Sequence, residues 1–446
     1  MFEFNNDSLK GINADVLKIA RELGASDCVV DVSESSGLAV TVRRGQVETI
    51  EQTRDKGMGV TAYLGMRRGN ASTSDFSPTA LRQTVQAAID IARHTGEDDC
   101  AGLPDPDTLA TEVPELDLFH PWGIDADAAV KLAKRIEAAA LGVSPQIANS
   151  DGASVHVSHG QFSIANSLGF SGGYPYSRHS ISCSPIAGQG DGMQRDDWYS
   201  SAMSADKLAD PESVGRYAAQ RALSRLNARR VKTCKVPVLF EAPLASGLIG
   251  HLVQAASGAA LYRKSTFLLD SLGKDLFGPH LDIIEDPFLP AEMGSSPFDS
   301  EGVATRRRSV VSQGRLNGYF LSTYSARKLG MKTTGNAGGS HNLLLSSRKT
   351  RQGDDLEAML KRLGTGLLVT DLMGQGVNYV TGDYSRGASG FWVQNGEIQF
   401  PVEEITIAGN LREMFKQIVA VGADQLNRGG RRCGSILIEQ MSIAGA

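Results

Sequence analysis

Helical and strand-like spacings of apolar residues follow one another at the start of the chain. Residues 13–23 place apolar side chains at helical spacing on one side. Four short strand-like runs come next, at residues 28–32, 38–43, 47–52 and 59–64. Gly37, Gly45 and Gly57 lie between these runs and favour turns. The pattern therefore predicts one helix followed by a meander of hairpins.

Two further helices have clear start signals. Ser77 followed by Pro78 is typical of an N-cap and a first helical position, and the helical pattern stops near Gly96. Asp210 followed by Pro211 gives the same signal for a helix that should end in the basic pair at residues 229–230, which suits a helix C-terminus.

The middle of the chain predicts a second unit of the same kind. Residues 97–121 are acidic and rich in proline, which favours a linker. A helix is predicted at residues 125–141, and polar strands with glycine turns over residues 147–184. This order of a helix and then strands loosely resembles the first unit, although no sequence repeat accompanies it.

The last part of the chain is richer in short strands. A buried-type strand at residues 236–240 precedes an apolar helical segment at residues 244–256. The further predicted elements are strands at residues 366–370, 390–393 and 398–402 and an amphipathic helix at residues 411–419. We therefore predict an α+β fold. An N-terminal α/β-layered region with hairpin meanders should precede a β-rich C-terminal domain with antiparallel and mixed sheets.

Length supports more than one domain. A chain of 446 residues is too long for a single ordinary core. We place an N-terminal α+β domain with its linker at residues 1–115 and a central α+β domain at residues 116–231. A β-rich C-terminal domain should occupy residues 232–446.

Composition narrows the classes of function. A net charge of −5 gives no electrostatic reason to expect nucleic-acid binding. The first residues lack a basic start followed by an apolar run, and no stretch is apolar for long enough to cross a bilayer, so we expect neither secretion nor a membrane partner. Five scattered cysteines form no disulfide framework. A cytoplasmic location fits these features best.

His251 lies in the apolar helical segment, and the residues after it differ from those of a zinc-peptidase helix. Such a helix needs a general-base glutamate directly after the first histidine and a second histidine about one turn later. Leu252 follows His251 instead, and Ala256 carries no ligand atom. A catalytic zinc takes about three protein ligands, and His341 and Cys433 are the distant candidates. We therefore predict a packed or hydrogen-bonded histidine, with no catalytic residue and no metal ligand.

Three other motifs favour structural interpretations. Gly169–Gly173 (GFSGG) matches the nucleophile-elbow pattern, but the Tyr-Pro-Tyr that follows cannot begin a regular helix, which favours a turn. His156 and His159 lie three positions apart, so in a strand they face opposite sides and cannot form a metal pair. The basic cluster at residues 428–432 is typical of a solvated face.

A polar tetrad between glycines is the best candidate for substrate binding. Asp383, Tyr384, Ser385 and Arg386 precede a Phe-Trp pair, and the glycines allow a ligand's backbone to come close. An extended peptide that adds along an exposed strand edge would suit this segment. The alternative is a glycine-rich hairpin with a conventional turn. We predict these four residues to bind substrate.

Several long segments together carry a family resemblance. They are Ser72–Pro78 (STSDFSP), Tyr262–Lys274 (YRKSTFLLDSLGK), Pro297–Gly302 (PFDSEG), Tyr324–Gly339 (YSARKLGMKTTGNAGG) and several blocks between Gly364 and Leu411. These segments resemble the PmbA/TldE branch of the TldD/PmbA family, whose members are known as microcin-processing peptidases or modulators of DNA gyrase. The resemblance covers nearly the whole chain.

The resemblance implies a cytoplasmic complex of two different subunits, TldD and TldE, around a cleft that admits unfolded peptides. In TldD-type members a His-Glu-x-x-x-His helix and a later cysteine hold zinc. His251 matches the first histidine, Leu252 replaces the glutamate, Ala256 replaces the second histidine, and Cys433 falls at the cysteine position. These four are degenerate metal positions. The resemblance therefore implies that zinc is bound by a TldD-type partner and not by this chain.

Three functions follow as hypotheses. The first is a non-metal, TldE-type subunit of a zinc metallopeptidase that degrades or processes unfolded peptides and is inactive alone. The second is a regulatory or binding protein of the gyrase-modulator type, which acts without proteolysis and forms a homodimer when alone. The third, which the missing ligands disfavour, is an autonomous metallopeptidase that uses His251, His341 and Cys433.

Overall fold

A computed structural model describes residues 2–445 and divides the chain into two compact units. The first unit contains the chain up to Leu223 together with two later segments, Pro290–Thr305 and Ser322–Gly338. The second unit contains Ser224–Leu289, Arg306–Leu321 and the chain from Gly339 onwards. Sequence order and spatial grouping therefore differ, because two later segments return to the first unit.

The helices of the described residues are α1 (Asn6–Glu22), α2 (Pro78–His94), α3 (Ala126–Leu141), α4 (Pro211–Ser224), α5 (Ala242–Ala255), α6 (Gly258–Tyr262), α7 (Thr323–Lys328), α8 (Leu356–Leu363) and α9 (Leu411–Lys416). The strands up to the middle of the chain are β1 (Asp27–Arg43), β2 (Gln46–Leu64), β3 (Arg67–Thr73), β4 (Ile147–Asn166), β5 (Ser171–Ala187), β6 (Gln194–Arg195), β7 (Trp198–Ala202) and β8 (Cys234–Phe240). The later strands are β9 (Leu281–Asp286), β10 (Arg308–Ser312), β11 (Arg315–Leu316), β12 (Asn342–Ser347), β13 (Gly366–Met373), β14 (Val377–Asn378), β15 (Asp383–Gln394), β16 (Glu397–Asn410), β17 (Ile418–Val421), β18 (Leu426–Arg428), β19 (Arg431–Cys433) and β20 (Ile436–Ala444). No helix within residues 2–445 combines the length and the apolar character needed to span a bilayer.

The first unit is built on an antiparallel sheet with the strand order β3-β2-β1-β4-β5-β6, and β7 also pairs with β5. Even-numbered residues of β1 form its buried face. Val30 and Val32 pack in one core with side chains of α1 and α2, and further along the same face Val40 and Val42 are fully buried where α3 contacts the strand. The helices therefore cover one face of the long strands.

The predicted meander contains two long strands in place of four short ones. Gly37 pairs with Thr53 and Gly57 pairs with Ser33, so neither glycine forms the predicted turn. An ideal Cβ at Gly37 would lie 2.8 Å from Thr53 Oγ1, so glycine there is explained by close packing inside the ladder. Of these three glycines, only Gly45, at φ +71°, lies in the turn between β1 and β2.

Three helix boundaries differ from the predicted ones. The first helix begins at Asn6, because the Asn5 side chain caps it by accepting from the Ser8 amide at 2.8 Å. Helix α4 ends at Ser224, before the basic pair that was expected to end it. The predicted helix at residues 411–419 ends at Lys416, because the residues after it form β17 and pair with β20.

A closed ring of strands forms the core of the second unit. The ring runs β8-β20-β16-β15-β13 and returns to β8, because β13 pairs with both β15 and β8. Leu239 of β8 and Leu437 of β20 pack against Met359 of α8. Their neighbours Val238 and Ile436 are also fully buried and point to the opposite side. A five-stranded ring has room only for side chains, so α8 lies outside and these neighbours fill the interior.

A second sheet in this unit has the strand order β11-β10-β9-β12-β19-β18 and mixes parallel and antiparallel pairs. Helix α5 contacts β13 of the ring and also β18 and β19 of this sheet. These contacts fix α5 between two sheets. The predicted α+β fold, with a helix-layered N-terminal sheet and a β-rich C-terminal region, is confirmed.

One buried carboxylate fastens the turn of the first hairpin. Glu137 of α3 is 1% exposed. Its carboxylate accepts from the Arg44 amide at 2.7 Å, the Gly45 amide at 2.8 Å and the Ser150 hydroxyl at 2.6 Å. Both turn residues have positive φ, so the turn needs these bonds to stay in place.

We expect Glu137→Ala to destabilise the first unit by about 2–3 kcal/mol, because it leaves three donors without their charged acceptor. Urea unfolding and thermal melting measure the loss. Glu137→Gln should cost less, since one acceptor oxygen remains. Glu48→Ala in the same hairpin is the matched control, because its ion pair with Arg43 is exposed and worth less than about 1 kcal/mol. Equal effects of the two alanine variants would contradict this role.

Candidate functional site

Helix α5 follows β8 after a single residue and carries His251 close to its C-terminal end. The His251 side chain is half-buried. Its Nδ1 and the Tyr379 hydroxyl share a hydrogen bond of 2.8 Å, and the Tyr384 ring meets the imidazole edge to face at 5.7 Å. Two aromatic side chains therefore fix the position of the histidine.

The two positions that would complete a zinc helix are apolar and enclosed. Leu252 and Ala256 are both fully buried. A buried leucine next to His251 contributes packing and has no proton acceptor, and a buried alanine has no ligand atom. These residues bind the helix to its neighbours and leave no coordinating group on this part of α5.

Two guanidinium groups lie near His251. Arg386 projects from β15, two residues after Tyr384, and Arg431 from β19. An ideal Cβ at Gly250 would lie 3.0 Å from Arg431 Nη1, so the guanidinium lies directly against the helix where glycine leaves room. Neither arginine forms an ion pair with a carboxylate in the described range 2–445. The charge at this site is therefore positive and unbalanced.

The surroundings of His251 change its pKa strongly. Burial, and then the charges of Arg386 and Arg431, lower the pKa of His251 to about 4. Burial raises the pKa of Tyr384 to about 12, and the neighbouring Arg386 charge offsets part of that rise. At neutral pH the site therefore contains a neutral imidazole, a neutral phenol and two cationic guanidinium groups.

These residues do not fit a zinc ion. The donor set needed for zinc is imidazole, thiolate or carboxylate, with about three protein ligands. Within the part of the chain that the structure describes, no three His, Cys, Asp or Glu side chains are grouped so that they could hold one metal ion. The guanidinium charges at the same place would also repel a divalent cation.

The distant ligand candidates are placed as follows. Cys433 lies on β19, on the same strand face as Arg431, and is fully buried. Burial, with a smaller effect of Asp424, raises the pKa of the Cys433 thiol to about 12, so the thiolate that binds metals is disfavoured. His341 precedes β12, and its main-chain amide donates to Glu285 Oε1 at 2.8 Å.

Strand alternation separates the predicted substrate-binding tetrad into two pairs. Tyr384 and Arg386 point towards His251, whereas Asp383 and Ser385 are exposed on the other face of β15. Asp383 accepts from the Thr381 hydroxyl at 2.7 Å and from the Asn410 amide at 3.1 Å. These two bonds lower the pKa of Asp383. Only half of the tetrad therefore belongs to the His251 site.

The prediction that this tetrad lies on a free strand edge was wrong. Strand β15 pairs with β16 along one edge and with β14 and β13 along the other. Both rows of backbone donors and acceptors are thus already used, so no peptide can add there as a further strand. Any contact between this segment and a peptide has to be made by side chains.

The remaining motifs behave as their local patterns indicate. Gly169 lies in the turn of the β4–β5 hairpin with φ +97°, so the GFSGG motif is a turn and not a nucleophile elbow. His156 is exposed on β4, whereas His159 is half-buried and accepts from the Trp122 amide at 3.1 Å. These two histidines do not form a metal pair.

Two residues of the site were missed by the sequence analysis. Arg431 belongs to a basic cluster that was expected to be a solvated face, and it is half-buried instead. Tyr379 had no motif at all. The Tyr379 backbone carbonyl accepts from the Phe267 amide at 2.7 Å, so a segment far away in sequence helps to hold this tyrosine near His251.

Sequence profiles of one family match most of the chain. The PmbA/TldA metallopeptidase domain 1 matches residues 28–92, the central domain matches residues 119–226, and the C-terminal domain matches residues 233–445. The chain is 49% identical to Metalloprotease PmbA of Escherichia coli O157:H7 over 442 residues, which covers 98% of this chain and 97% of the relative.

Solved structures share the fold. A candidate modulator of DNA gyrase from Bacteroides thetaiotaomicron superposes with a TM-score of 0.93 at 27% identity, covering 99% of this chain and all of that one. TldE from Thermococcus kodakarensis superposes with a TM-score of 0.84 at 20% identity, covering 97% of this chain and all of that one. At that lower identity the likeness concerns the fold alone.

We expect His251 to make the folded chain sensitive to acid. The unfolded chain takes up this proton near pH 6.5 and the folded chain only near pH 4, so stability falls as the pH drops between these values. His251→Gln should lose less stability than the wild type between pH 7 and pH 4.5, by about 1–3 kcal/mol in urea unfolding. His156→Gln, at an exposed histidine, is the matched control. An NMR titration of His251 centred near pH 6.5 would contradict this expectation.

Proposed function

Because the chain belongs to the PmbA/TldA metallopeptidase family, we propose that it is the non-metal subunit of a heteromeric zinc peptidase. A TldD-type partner would supply the zinc, and with it the activated water and the polarised carbonyl. The substrate class that we propose is unfolded peptide, which the complex would degrade or process in the cytoplasm. The chain alone would not hydrolyse peptides.

The observation that carries this proposal is the content of the His251 site. The family's metal helix needs a base and a second ligand, and this chain has the enclosed side chains of Leu252 and Ala256 at those positions. Arg386 and Arg431 add positive charge at the same place. Loss of ligands alone would weaken metal binding. The two added guanidinium charges would in addition repel a metal cation from the same place.

The role of this chain in the complex would be to hold substrate. Tyr384 and Arg386 offer a ring and a guanidinium group towards the His251 side of β15. Such side chains can orient a peptide by stacking and charge-assisted hydrogen bonds without taking part in bond cleavage.

We expect the purified chain to retain no stoichiometric zinc and to hydrolyse an unstructured peptide only after a TldD-type chain is added. The hydrolysis should be blocked by a chelator and restored by zinc, because the metal resides in the partner. Metal analysis and peptide mapping by mass spectrometry measure both properties on each chain and on the mixture. Chelator-sensitive hydrolysis by this chain alone would refute the proposal and favour an autonomous peptidase.

We also expect Cys433→Ala and His341→Ala to leave the zinc content and the turnover of the complex within about twofold of the wild type. Removal of a true zinc ligand would instead cost about a hundredfold or more, since even outer residues of a metal site cost 10–100-fold. Mutation of the ligand histidines in the partner is the positive control. A hundredfold loss from either variant of this chain would overturn the assignment.

A regulatory protein of the gyrase-modulator type is the second candidate, because a close structural neighbour carries that name. Affinity capture of the intact chain from its own cells separates the two candidates. Recovery of a TldD-type protein supports the peptidase subunit. Recovery of gyrase without any TldD-type protein favours the regulator.

A further inference from the structure

The His251 site has hydrogen-bond donors in excess of acceptors. Arg386 Nε, Arg431 Nε and the Tyr384 hydroxyl are enclosed, and none has a partner with hydrogen-bond geometry within residues 2–445. Arg386 makes a long contact from Nη2 to the Leu372 carbonyl at 3.4 Å, and its side chain also lies close enough to the Tyr384 hydroxyl to offset part of the rise in the Tyr384 pKa. Buried donors normally have partners, so three without one in a single cluster is unusual.

The two guanidinium groups are positioned by elements that cannot move freely. Arg386 lies on a strand that is bonded on both edges within the closed ring. Arg431 lies on β19, which pairs with β12 and β18, and its guanidinium rests against Gly250 of α5. Both side chains are partly exposed, so the cluster is open to solvent on one side. Such a fixed pair of forked donors matches the two oxygens of a carboxylate.

We propose that Arg386 and Arg431, with the Tyr384 hydroxyl, form a carboxylate-binding site for the substrate peptide beside His251 of α5. This inference rests on the proposed function for the identity of the ligand as a peptide. The lining consists of cations and neutral donors, so it selects an anion and rejects a divalent cation. The carboxylate is either the C-terminus of the peptide or an acidic side chain.

Three peptides separate these two sources. The first is an unstructured hexapeptide without acidic residues and with a free C-terminus, the second is its C-terminal amide, and the third is an amide with one glutamate. Calorimetric titration of the full chain at low salt gives each affinity. We expect a peptide with a carboxylate in the right position to bind about tenfold or more tightly than the amide without a glutamate, which is the usual effect of one charge-assisted hydrogen bond. The carboxylate position that confers the gain identifies the source.

Four variants test the residues. Arg386→Gln and Arg431→Gln should each remove about tenfold of the affinity for the carboxylate peptide and should lower the affinity for the plain amide much less. Arg432→Gln is the matched control, because Arg432 lies on the opposite face of β19 and should have no effect. Gly250→Ala would place its Cβ against Arg431 Nη1, so it should weaken carboxylate binding without lowering the melting temperature.

The inference is overturned if carboxylate and amide peptides bind equally, if no peptide binds, or if Arg432→Gln weakens binding as much as the other two arginine variants. These outcomes are distinct from a failure of the proposed function. A mixture with a TldD-type chain that cleaves carboxylate and amide peptides alike would keep the peptidase proposal and refute the carboxylate site. If this chain binds carboxylate peptides selectively but the mixture cleaves no peptide, the carboxylate site is supported and the peptidase proposal is refuted.

Discussion

Closure of the five-stranded ring is the constraint on which the rest of the second unit depends. Because β13 bonds to β15 as well as to β8, strand β15 has no free edge and cannot slip in register. A slip of one residue would exchange the two faces of β15 and turn Tyr384 and Arg386 away from α5. The ring thus fixes which side chains meet His251, and through them the charge of the whole site.

The chemistry of the site follows from charge more than from any single missing ligand. His251 survives as a neutral imidazole held by Tyr379, and its low pKa reflects burial and two neighbouring cations. A cluster that keeps a histidine uncharged, first by burial and then by two neighbouring guanidinium groups, is the electrostatic opposite of a metal centre, which gathers anionic and neutral ligands around a cation. A few positions along α5, β15 and β19 therefore decide the charge of this site.

Local patterns in the sequence were sufficient for the fold class and for part of the site. The cap at Ser77 and the apolar spacing of α5 are decided within one turn of chain, and sequence reasoning found both. The cap at Asn5 is equally local, but the predicted helix began only at residue 13. Sequence reasoning failed where residues far away in the sequence decide the local structure or the burial of a side chain. Gly37 forms no turn because β2 and β4 flank it, and Arg431 is half-buried because Gly250 leaves space for it. The residues around position 431 contain no pattern from which the space beside Gly250 could be predicted.

The return of two late segments to the first unit affects how this chain can be made. Phe298, which is 2% exposed, packs against Phe170 of the β4–β5 hairpin, and the nearby Gly302 also lies against the Phe170 ring. A ribosome must therefore release most of the polypeptide before that aromatic cluster is shielded from water. Until then the nascent N-terminal half exposes a hydrophobic surface around Phe170, which is the kind of surface that chaperones bind.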